Sequence, residues 1–85
     1  MSEDIELLKK KIVYKSSYRG IKELDIILRS FVSKYLNKLN FEELTDLFDF
    51  LENNDEDIYK FKQGIKTNKK IKNNNVTNLF KKFEL

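Results

Sequence analysis

The chain contains no proline, and its only glycines are Gly20 and Gly64. These two residue types are the main interrupters of regular backbone, proline by removing a donor and glycine by its conformational freedom. A chain of 85 residues with two such points has few places where it is forced to turn. Hairpins suffer most, because they depend on Asn-Gly or Asp-Gly dipeptides that are missing here, and no segment alternates apolar and polar residues with period two. What survives is the helix.

Apolar residues recur at helical spacing. Ile5, Leu8 and Ile12, with Leu7 alongside, define a first helix, and Leu24, Ile27, Leu28, Phe31 and Tyr35 a second. Asn40 followed by Glu43 marks the start of a third, whose apolar face reads Phe41, Leu44, Leu47, Phe48, Leu51. The cluster ENND interrupts the pattern, and Asn54 or Asp55 can cap a fourth helix carrying Ile58, Tyr59 and Phe61, closed by Gly64. A last helix starting at Asn74 or Asn75 would bury Val76, Leu79, Phe80 and Phe83. The fold expected is a single all-α domain over residues 1–85, a small bundle of four to five short helices, with a frayed N-terminus at 1–4 and a polar loop at 66–74. Its core is expected to contain Leu24, Leu28, Phe31, Leu44, Leu47, Phe48 and Leu51.

Composition narrows the chemistry. There is no histidine and no cysteine, so the commonest general base, the commonest metal ligand and every thiol are absent. An enzyme is not expected. No apolar run approaches the roughly 20 residues that cross a bilayer, so no membrane insertion is expected. The first six residues include two glutamates and an aspartate, whereas targeting peptides are acid-poor. That reading makes the mature chain cytoplasmic, or already processed if it comes from an organelle.

The net charge of +3 conceals segregation. Residues 1–40 carry nine basic and five acidic side chains, 41–60 one basic and eight acidic, and 61–85 seven basic and one acidic. A duplex-binding surface favours one coherent basic face; an acidic block between two basic ones suits a protein partner as well. The run Glu52 to Asp57 is dense in carboxylates but lacks the spacing and central glycine of a calcium loop. Capping and solvation of a helix start by Asp55 and Asp57 account for it, and no metal is expected. Lys66 to Lys72 holds neither aromatics nor arginines and reads as a solvated segment.

The stretch YRGIKELD, Tyr18 to Asp25, is the one that poses a functional question. Gly20 just before an amphipathic helix reads as a corner in which glycine takes an unusual dihedral. It reads equally as a place where a partner's backbone approaches. Arg19 then offers planar paired donors, and Glu23 an acceptor about one turn away. Tyr14 and Tyr18 lie near the same corner, where an aromatic with a polar tip suits an interface edge.

Those residues resemble the succinate dehydrogenase assembly factor 2 family, which promotes flavinylation. Its R-G-x-x-E motif and the helix that follows are matched by Arg19, Gly20, Glu23, Leu24, Asp25 and Leu28, preceded by YKSS. A second block, D-x-D-[IL]-[YF]-x-W-x-x-G, is matched by Asp55, Asp57, Ile58, Tyr59, Phe61 and Gly64, with Phe61 in place of the tryptophan. The match spans Ile12 to Gly64. Lys22 keeps a charge between the motif's defining positions but lacks the guanidinium fork.

The resemblance implies a five-helix assembly factor of the bacterial cytoplasm, ahead of the mitochondrial matrix, that binds the flavoprotein subunit of succinate dehydrogenase, or of a fumarate reductase. It would favour attachment of FAD to a histidine of that client. FAD belongs to the client, and this chain binds no cofactor stably. The residues implied to meet the client are Tyr18, Arg19, Gly20, Lys22, Glu23 and Asp25, with Arg19, Gly20 and Glu23 adding little to the core. A monomer that binds no nucleic acid is expected when the chain is free. The competing reading is a small basic helical protein associated with nucleic acid, or a regulatory one, which the pI near 9.1 and the lysine-rich tail suggest.

Overall fold

A computed structural model describes residues 2–66 and 71–85. Among these residues there are five helices and no strand: α1 Ser2–Lys15, α2 Lys22–Tyr35, α3 Phe41–Leu51, α4 Asp55–Lys62 and α5 Asn75–Lys82. Helix α1 lies against α3, α3 against α5, and α4 against α5.

The helix starts are chemical. Asn40 accepts from the Glu43 N–H at 2.8 Å, and the Glu43 carboxylate accepts from the Asn40 N–H at 3.0 Å, a reciprocal capping box. Asn74 and Thr77 repeat the arrangement at α5, both bonds 2.9 Å. Asn54 caps α4 by accepting from the Asp57 N–H at 2.8 Å. Helix α4 stops at Gly64, which adopts φ +76°. Ile65 N–H then reaches back to the Lys60 carbonyl at 2.9 Å and Gly64 N–H to Phe61 at 3.1 Å, the paired bonds of a glycine-terminated helix. Lys62 donates to the carbonyls of Lys81 and Phe83 at the end of α5. Burial draws its ammonium below the ordinary lysine range, with Glu84 opposing.

The core is aromatic at its centre. Phe31 is fully buried, its ring 5.3 Å from Phe80, 5.4 Å from Phe83 and 5.0 Å from Tyr35. Phe50 meets Phe80 at 5.3 Å and Phe61 at 5.6 Å, in the edge and tilted geometries that ring quadrupoles favour. Ile12, Leu24, Leu28, Leu44, Leu47 and Leu51 fill the space around them.

Two core assignments change. Phe48 is half-buried and Phe50 takes the interior place expected of it, because α5 and α4 approach α3 on the Leu47–Phe50 side. Phe41 is exposed at the first position of α3. The polar segment expected at 66–74 falls partly on 67–70, outside the described residues; of its remainder, Ile71 is buried rather than solvated. The N-terminal stretch expected to fray is helical from Ser2, with Met1 outside the described residues.

Candidate functional site

Helix α1 ends at Lys15, and the chain must reverse before α2 begins at Lys22. Ser16 and Ser17 both turn their hydroxyls back to the Val13 carbonyl at 2.9 Å. The residue in the left-handed region is Tyr18, with φ 58°, and not Gly20. For a residue with a side chain that conformation costs roughly 1–2 kcal/mol, so the corner around it must be held firmly. Its ring is 84% exposed, with the Arg29 guanidinium 5.3 Å from the ring centre.

What holds the corner is Arg19. Its Nε donates to Asp55 Oδ1 at 2.6 Å, Nη1 to the carbonyls of Lys15 at 2.8 Å and Leu51 at 3.2 Å, and Nη2 to the Asn53 carbonyl at 3.0 Å. Lys15 ends α1 and Leu51 ends α3. The last carbonyls of a helix have no partner within it and carry partial negative charge. One guanidinium therefore serves the ends of two helices and the turn after the second. Asp55 opens α4, where the positive helix end favours a carboxylate. Its second oxygen accepts from the Gly20 N–H at 2.5 Å.

This explains the glycine. A Cβ on Gly20 would lie 2.9 Å from Asp55 Oδ2, inside van der Waals contact and on the oxygen that its own N–H binds. The close approach at Gly20 comes from within the chain. It also revises the roles expected of the acidic block. Asp55 is a partner of Arg19 and Gly20, Asn54 is the cap, and Asp57 is buried rather than solvated. Arg19, expected to add little to the core, is a structural fastener, with its side chain only 11% exposed.

A second link runs parallel to the first. Tyr59 donates its phenol proton to Glu23 Oε2 at 3.1 Å. Glu23 follows Arg19 by four residues and Tyr59 follows Asp55 by four, the latter pair one turn apart on α4. The Glu23 charge and hydrogen bond hold the Tyr59 phenol above its ordinary value, with Gln63 opposing. Asp25 is half-buried, accepting from the Arg19 N–H at 3.4 Å and from Arg29 Nε at 3.2 Å.

The six expected contact residues thus divide. Arg19 and Asp25 are engaged inside the corner, while Tyr18, Gly20, Lys22 and Glu23 are exposed. A groove beside them is lined by Tyr14, Lys15, Ser17, Tyr18, Arg19 and Asp55. The site carries charge, hydrogen-bonding groups and exposed aromatic surface; among the described residues no cluster of acidic side chains could hold a metal ion. Asp55 and Tyr59 are the participants that sequence reading did not place here. Their only signal was membership of the second motif block, since nothing local pairs residues 36 positions apart.

A family profile described as flavinator of succinate dehydrogenase matches residues 10–84. The chain is 39% identical over 83 residues to succinate dehydrogenase assembly factor 2-A, mitochondrial, of Drosophila willistoni, covering 94% of this chain and 52% of that protein. It is 40% identical over 58 residues to succinate dehydrogenase assembly factor 2, mitochondrial, of Saccharomyces cerevisiae, covering 68% and 36%. With the Aspergillus flavus protein of that name it shares 42% over 57 residues, covering 67% and 20%. The chain spans about half the length of the fly relative and less of the fungal ones. No solved structure gives a significant match. These relatives are named mitochondrial, which corrects the expectation of a bacterial cytoplasm. That expectation rested on acidic residues at the start of the chain, and charge there does not fix where related proteins work.

Proposed function

The chain belongs to the family of flavinators of succinate dehydrogenase, and on that premise we propose that it is a mitochondrial assembly factor for the flavoprotein subunit of that enzyme. It binds the subunit before the complex is complete and favours covalent attachment of FAD. The observation that carries this reading is the match over residues 10–84, together with the direct contact between the two motif blocks at Arg19–Asp55 and Glu23–Tyr59.

The division of labour follows from the corner. Arg19 and Asp25 hold the α1–α2 turn in shape from inside. Gly20 keeps its surface bare, and Tyr18, Lys22 and Glu23 project from it as the contact residues. The family resemblance puts the flavin on a histidine of the client, a residue type this chain lacks, and FAD is the client's cofactor. A flavin supplies the electrophilic ring chemistry; the factor contributes a bound conformation of the client. It shifts the client toward that conformation only by its greater affinity for it.

Co-purification tests the partnership. The tagged chain should retain a cognate flavoprotein subunit as a one-to-one complex, with the factor itself monomeric when free. Retention of nucleic acid, with affinity falling steeply as salt rises, and no retention of the subunit would overturn the reading.

A further inference from the structure

We propose that Tyr59 is a positioning residue for client docking: its phenol fixes the Glu23 carboxylate so that the remaining oxygen faces a hydrogen-bond donor of the client. This rests on the reading of the corner as the docking face.

Glu23 is exposed in the first turn of α2. A glutamate there is free to sample several rotamers, and ordering it on binding works against affinity. Here one oxygen is already engaged, Oε2 accepting from Tyr59 at 3.1 Å. Oε1 takes no other hydrogen bond among the described residues. A carboxylate with one oxygen tied and one open is set to accept from a backbone N–H or a basic side chain, without further loss of freedom.

Tyr59 is well placed to do the fixing. It is half-buried and packs against the hydrophobic core, so its ring is anchored while its hydroxyl reaches the surface. It stands on α4, one turn beyond Asp55, which clamps the start of that helix to Arg19 and Gly20. The anchor of the corner and the holder of Glu23 are therefore on one short rigid element. The raised phenol value fits a group that remains a donor throughout the neutral range.

A double-mutant cycle with the purified flavoprotein subunit separates positioning from other roles. Dissociation constants and melting curves are measured for the parent, Tyr59→Phe, Glu23→Ala and the double variant. Tyr59→Phe should lower the melting temperature only slightly, since the link lies at the surface, and weaken binding roughly three- to tenfold, the loss of a single hydrogen bond's organisation. In the Glu23→Ala background the same change should add nothing, because no carboxylate remains to be held. If Tyr59→Phe weakens binding equally in both backgrounds, Tyr59 acts by another route and the positioning role is overturned. If Glu23→Ala weakens binding while Tyr59→Phe binds as the parent does, the positioning role fails and the docking face stands. If Glu23→Ala itself binds like the parent, the docking face fails, and Tyr59's role with it.

Discussion

Arg19 Nε lies 2.6 Å from Asp55 Oδ1, across 36 residues of chain, with the arginine side chain largely withdrawn from solvent. Removing either partner leaves the other without its counter-charge. Asp55→Ala should destabilise the fold by about 2 kcal/mol, the scale of a hydrogen bond to a charged group lost from a partly buried site. Arg19→Ala also frees the carbonyls of Lys15, Leu51 and Asn53 and should cost about 3 kcal/mol. Urea unfolding of the two single variants and the double variant checks this. The double should lose less than the sum of the singles; strict additivity would mean the pair is not coupled.

Gly20→Ala should cost about 1–2 kcal/mol, because the new Cβ displaces the Asp55 oxygen held by the Gly20 N–H. Gly20 does not use the left-handed region, so the substitution meets no backbone penalty of its own. The cost should therefore shrink sharply when measured in the Asp55→Ala background. A penalty of equal size in both backgrounds would place the cause elsewhere.

Much of this architecture is legible in the residues. Asn40 announces its helix because a cap is a local interaction, Asn54 and Asn74 are each one of two adjacent candidates that the sequence leaves open, and Gly64 announces a stop because its dihedral is local too. The corner is less legible. A glycine beside an arginine suggests that glycine makes the turn, yet Tyr18 takes the positive φ, since surrounding bonds can hold one strained residue. The partners of Arg19 and Glu23 depend on how α4 packs, which no local pattern encodes. Phe48 and Phe50 could each extend the apolar stripe, and the arrival of α5 and α4 decides in favour of Phe50.

The caps carry measurable stability. Asn54→Ala should lower stability by about 1 kcal/mol, as should Asn74→Ala, each read by thermal or urea unfolding. Aspartate or serine at either site should restore most of the loss, and no rescue would mean that these asparagines act other than as caps.

Titration of Tyr59 should report its link to Glu23. Its folded value lies above the ordinary 10.0, chiefly through Glu23. The bond is thus present below pH 10 and its contribution is lost as pH rises through the raised value. Ultraviolet absorbance of the folded protein should follow the Tyr59 phenol ionising above its ordinary value. Glu23→Gln, which removes the charge, should bring that ionisation earlier; an unchanged titration in this variant would break the assigned link.

Covalent flavin on the client is the readout nearest to the proposed function. A cognate flavoprotein subunit is expressed alone, with the parent chain, and with Glu23→Ala, which removes an exposed side chain and should leave the melting temperature nearly unchanged. Flavin fluorescence of the denatured subunit band is then compared. The band should be strong with the parent, and weak both without the chain and with folded Glu23→Ala. A band as strong with Glu23→Ala as with the parent would contradict docking through this corner, and a band as strong without any chain would contradict its role in flavin attachment.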